Sequence, residues 1–145
     1  MRFGRFESSY QVRLEDGDRI AESLLALLRA ERIGYAAITG LGALRWASIS
    51  YWNARSGEYE VHEFDEQLEL VGVVGNAALR DGEPALHLHA TLGRADLSLL
   101  GGHFNEAIVH PNTELWISPE PEPAIRVVEP ETNMPLMQLP DRVAD

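Results

Sequence analysis

A chain of 145 residues and 16.1 kDa has the size of one ordinary domain, and its 45% hydrophobic content can fill a core and is too rich for a disordered segment. It contains no cysteine, which excludes disulfides, thiolate nucleophiles and every zinc site built on sulfur. The formal net charge is −11, from 12 basic residues, all arginine, and 23 acidic residues spread along the chain; this favours solubility and provides no basic stripe for a phosphate backbone.

The first residues, MRFGRFESSYQVRLEDG, lack the apolar core of a signal peptide, and no apolar run approaches the ~20 residues of a membrane helix. A cytoplasmic location is expected. The spacing predicts one helix from Asp18 to about Arg32, because Ile20, Leu24, Leu27 and Leu28 make a single apolar stripe. Asp16 or Asp18 is expected to cap its start, and Gly34 to supply the left-handed residue after its end. From Tyr35 the period shortens towards two. Leu44, Trp46, Ser48, Ser50 and Trp52 are expected to share one strand face. A turn at Arg55–Gly57 leads to a strand over Tyr59–Phe64, followed by strands at Gln67–Val74, Ala85–Leu92, Thr113–Ser118 and Ala124–Val128. Six of the eight prolines lie from Pro119 onward, so that region should hold edge strands and connectors. The fold class is α+β, a mainly antiparallel sheet with one principal helix.

Residues 85–92, Ala-Leu-His-Leu-His-Ala-Thr-Leu, carry the clearest chemical signal. On a strand His87 and His89 point the same way, while Leu86, Leu88, Ala90 and Leu92 form the core face. Two imidazoles on one face can converge on a metal at the ~2.0–2.1 Å Zn–N distance. His103 follows Gly101 and Gly102, two glycines that permit a sharp turn or a close approach and so aim the next side chain. Three histidines would leave a fourth position open for water or a small ligand, with Glu69, Glu106 and Glu114 as candidate ligands or general bases. Read from the residues alone, a hydrogen-bonded polar interface explains the same histidines as well as a metal does. His62 and His110 lack comparable context and read as surface or packing residues. Gly40-Leu41-Gly42 resembles the start of a dinucleotide fingerprint, but Arg45 stands where its third glycine belongs, so a turn is expected. Trp46 and Trp52 read as core or interface residues.

Together these residues resemble the PPC domain, the plants and prokaryotes conserved family of homotrimers. Val12-Arg13-Leu14 with Gly17, Thr39 to Ala43, and Leu68-Glu69-Leu70 through Gly75-Asn76 resemble its framework. Asp81-Gly82, His87 to Ala90, Gly101-Gly102-His103 and Thr113-Glu114 resemble its prokaryotic, histidine-bearing branch. The resemblance implies that residues 1–9 are an extension, 10–139 the domain and 140–145 a tail. It further implies a trimer and a divalent metal, zinc, bound by His87, His89 and His103. It also brings a DNA-binding or regulatory label that derives from plant members with AT-hooks. This chain has no Arg-Gly-Arg-Pro hook. Where the plant branch carries Gly-Arg-Phe-Glu-Ile-Leu, residues 66–71 match only at Glu69; residues 4–7 copy four of its letters at the wrong place. Direct DNA binding is therefore not expected. Phe104 replaces the leucine usual after the third histidine, which should alter packing and not ligation. The fold is also similar to that of alpha-acetolactate decarboxylase, a histidine-ligated zinc enzyme. The leading expectation is a trimeric metal-binding protein with a binding or regulatory role, and the alternative a metal-dependent lyase or hydrolase acting on a small polar substrate.

Overall fold

A computed structural model describes residues 1–138; the expected tail at 140–145, and residue 139, lie outside the described residues. Two short strands come first, β1 (Arg2–Phe6) and β2 (Ser9–Glu15), so part of the segment expected to precede the domain pairs as an edge strand. One helix follows, α1 (Ile20–Ala30), and then the long strand β3 (Tyr35–Asn53). Next come β4 (Glu58–Phe64), β5 (Leu68–Arg80), β6 (Glu83–Gly93) and β7 (Leu99–Pro119). A small ribbon of β8 (Arg126–Glu129) and β9 (Met134–Met137) ends the described chain. All strand pairings of the main sheet are antiparallel, as expected for this α+β class. No helix among the described residues is long and apolar enough to cross a membrane.

The strands run β1-β2-β7-β6-β5-β3-β4, and β3 also pairs with β7, so β3, β5, β6 and β7 close on themselves. Closure needs bending, and β3 bends at register shifts against β7 between Gly42 and Leu44, Leu44 and Trp46, and Ser48 and Ile49. These shifts overturn the single face expected for Leu44 to Trp52. Leu44 enters the core with Ala47 and Ile49, because each bulge changes which parity points inward. Gly40 and Gly42 form no turn. A Cβ on Gly42 would lie 2.5 Å from the Thr113 Cα, so these glycines let β3 cross close to β7.

The stripe of α1 is buried as expected, at Ile20, Leu24, Leu27 and Leu28, and the helix packs on β6 and β7. Burying each such side chain contributes on the order of 2 kcal/mol. Both helix ends differ from expectation. The residue before α1 is Arg19, with no side-chain cap; the Asp18 carboxylate instead accepts from the Glu15 N–H at 2.9 Å and pairs with the terminal amine at 2.7 Å. The left-handed residue is Arg32, with φ 55°, and not Gly34. Gly34 serves packing, since a Cβ there would sit 2.8 Å from Pro123. The core faces of β6 and β7 complete the interior with Leu88, Ala90, Leu92, Phe104, Ala107 and Val109. Hydrophobic burial on one face of β6 leaves its other face free for polar chemistry.

Candidate metal centre

Side chains alternate along β6, so burial of Leu88 and Ala90 turns His87 and His89 outward, as their spacing predicts. Antiparallel pairing of β6 with β7 sets His103 directly opposite His89. Each imidazole offers a nitrogen, and the three nitrogens lie within 4.8 Å of one another. Ring centroids stand 5.5 Å apart for His87 and His89, 5.4 Å for His87 and His103, and 5.5 Å for His89 and His103.

Of the turn and the close approach expected of the glycines before His103, the structure uses the close approach alone. Neither Gly101 nor Gly102 has positive φ, and both lie inside β7. A Cβ on Gly102 would come within 2.7 Å of the Ser50 carbonyl oxygen, so its bareness lets β7 lie against β3. Ser50 is in register with His103, and the Asn105 amide donates to the hydroxyls of Ser48 at 3.1 Å and Ser50 at 2.7 Å. These bonds satisfy the buried hydroxyls of Ser48 and Ser50.

Burial, then the Arg126 guanidinium and His89, hold the His87 imidazole below its ordinary pKa. Burial, then His87 and His89, do the same for His103. Both rings are therefore biased towards the neutral, metal-binding form. The Nδ1 atom of His103 is buried and has no hydrogen-bond partner among the described residues. Such an atom is costly to desolvate without a partner, and a cation meets that need. The donor set is thus suited to a divalent ion by count, type and orientation.

None of the three candidate carboxylates joins the imidazoles. Glu106 points elsewhere: its carboxylate accepts from the Ala21 and Glu22 N–H groups at 2.8 and 3.3 Å and pairs with Arg19 at 3.5 Å. It therefore caps α1 from a distant strand, the role expected of Asp16 or Asp18. Glu69 is exposed opposite Gly93, and Glu114 is exposed opposite Arg13. His62 is exposed on β4, and His110 is exposed with its Nδ1 3.0 Å from Asp16.

A cavity of about 570 Å³ opens on His87 and His103 and is walled by Trp52, Tyr59, Leu86 and Arg126. The Tyr59 ring lies 5.1 Å from His103 and packs edge-on against Trp52 at 5.0 Å. Trp52 thus serves this wall, whereas Trp46 stacks under Arg19 at 5.6 Å. Arg126 is nine-tenths buried, donating to the Pro135 carbonyl at 3.1 Å and Asn76 Oδ1 at 2.6 Å. Its terminal nitrogen lies 3.4 Å from His87 Nδ1. Sequence reading missed Arg126, and nothing in Ala-Ile-Arg-Val-Val marks it, since its apolar neighbours Ile125, Val127 and Val128 are themselves exposed.

The sequence matches the model of the Plants and Prokaryotes Conserved (PCC) domain over residues 1–119. No curated protein matches the chain. Among solved structures, a protein of Bacteroides thetaiotaomicron, provisionally described as DNA-binding, is 26% identical with TM-score 0.91, covering 94% of this chain and 96% of its own. A metal-containing protein of Archaeoglobus fulgidus is 28% identical with TM-score 0.84, over 95% and 96% of the two chains. A plant- and prokaryote-conserved protein of Pyrococcus horikoshii is 27% identical with TM-score 0.83, over 97% and 96%. Alpha-acetolactate decarboxylase of Bacillus subtilis is similar in fold alone, 13% identical with TM-score 0.54 over 76% of this chain and 51% of the enzyme.

Proposed function

The chain belongs to the Plants and Prokaryotes Conserved domain family, and from that premise we propose that it is a homotrimeric protein binding one zinc ion per subunit through His87, His89 and His103. The observation that carries this reading is the convergence of three imidazole nitrogens within 4.8 Å. The buried, unpartnered Nδ1 of His103 supports it, and so does similarity to a metal-containing relative. When bound, such an ion supplies an open coordination position and an acidified water. The chain's own residues hold the ion on two adjacent strands, and Tyr59 and Trp52 shield one side. Elemental analysis after incubation with zinc at pH 8 tests the reading. One equivalent per chain is expected, and none would sink it.

A metal-dependent lyase or hydrolase acting on a small polar substrate is the second reading, favoured by the cavity of about 570 Å³ beside His87 and His103. A cytoplasmic location completes the proposal.

The trimer draws support from the outer face of β3 and β5, where Leu41, Val71 and Val74 are 50%, 55% and 63% exposed. Closed cyclic symmetry would cover such a face without making filaments. Sedimentation should give about three times 16.1 kDa; a monomer at micromolar concentration would refute the trimer.

The same reading predicts no appreciable duplex DNA binding at physiological salt, because a subunit at −11 offers no array of cations to neutralise phosphates. Affinity tighter than the usual non-specific ~10⁻⁴–10⁻⁶ M, rising steeply as salt falls, would contradict it.

A further inference from the structure

We infer that the cavity beside the three histidines binds a small carboxylate with a short apolar body, its head group held by Arg126 and its body against Trp52, Leu86 and Leu136. The inference deepens the metal reading and rests on it for one contact only.

Arg126 is nine-tenths buried, yet no carboxylate among the described residues pairs with it. A buried cation without an anion is costly. Its neutral partners, the Pro135 carbonyl and Asn76 Oδ1, take two N–H donors, while Nε has no partner among the described residues. Among the described residues the guanidinium is thus held in place by neutral oxygens and meets no anion. A carboxylate is the planar anion that an arginine fork matches.

The contact with His87 points the same way. An imidazole that gives Nε2 to a metal keeps a proton on Nδ1, and ligating histidines pass that proton to an acceptor. In this chain the Arg126 guanidinium lies 3.4 Å from His87 Nδ1, and it too is a donor. Two donors facing one another call for an acceptor, which a ligand carboxylate beside them supplies to both. Trp52, Leu86, Met134 and Leu136 give the cavity wall an apolar part that a short hydrocarbon body can lie against, while Glu58, Arg80 and Asn133 line it as well. A volume of about 570 Å³ suits a small molecule.

The test is calorimetric titration of the zinc-incubated full chain at pH 7.5 with pentanoate and with pentanamide, its neutral isostere. The same titrations are run on Arg126→Met, and zinc content is measured on every sample. Wild type should bind pentanoate at least tenfold tighter than pentanamide, and Arg126→Met should lose that preference while keeping its zinc. Equal binding of acid and amide by the wild type overturns the inference, whether or not the variant folds. Undiminished preference in a folded Arg126→Met also overturns it. Absence of zinc from the wild type counts against the metal reading alone, because the acid-to-amide preference and its dependence on Arg126 are read separately.

Discussion

Replacing His87, His89 or His103 by alanine will lower zinc affinity by at least about 100-fold, whereas His62→Ala and His110→Ala will leave it unchanged. Removing an outer-shell partner of a metal site already costs ~10–100-fold, and each of these three changes removes one ligand of a three-imidazole set. The two controls lie outside the set, His62 exposed on β4 and His110 beside Asp16. Competition with a chromophoric chelator at pH 8 measures the affinities. Full affinity in His103→Ala, or its loss in His110→Ala, would show that the site is drawn wrongly.

The same site sets a pH dependence of known sign. His87 and His103 have folded-state pKa values below the ordinary imidazole value of ~6.5, so the unfolded chain binds more protons as pH falls. Stability from their neutral forms is therefore present above ~6.5 and is lost as pH falls from there through the depressed folded-state values. Zinc loss follows in the same direction, because protons and metal compete for the same nitrogens. Thermal melts with zinc between pH 8 and 5 should show the zinc-dependent gain shrinking with acid. A gain that grows with acid would contradict the assignment.

Gly75→Ala will destabilise the fold by about 3 kcal/mol, lower Tm by about 10 °C and impair zinc binding as well. Gly75 on β5 is in register with Leu88 on β6, and a Cβ there would collide with the His87 carbonyl and lie 2.9 Å from the Leu88 Cα. Both contacts are backbone, so no rotamer can relieve them; β6 itself must move, carrying His87 and His89 with it. Gly72→Ala is the control on the same strand, since a Cβ there meets nothing within 4 Å and should change stability by less than ~1 kcal/mol. Calorimetric melts with zinc titration decide the matter. Equal Tm and equal zinc content in the two variants would refute this role for Gly75.

Local periodicity determined much of this protein. The helical stripe at Ile20, Leu24, Leu27 and Leu28, the core face of β6, and the shared direction of His87 and His89 depend only on repeats of 3.6 and two residues. The mainly antiparallel sheet with a single helix followed from the same patterns. Strand extents were harder to read, because bulges interrupt the period: β7 runs over Leu99–Pro119, but only Thr113–Ser118 alternates cleanly enough to be read as strand. What the tertiary structure decided is which strands meet. His103 stands opposite His89 because β6 and β7 pair in one register, and a slip of one residue would turn it to the other face. Glu106 moved from candidate base to helix cap, and Arg126 entered the site from β8, through contacts spanning 85 and 39 positions in the chain. Residue type and spacing carry no record of such pairings. They are set by closure of the sheet, with glycine where two backbones must touch.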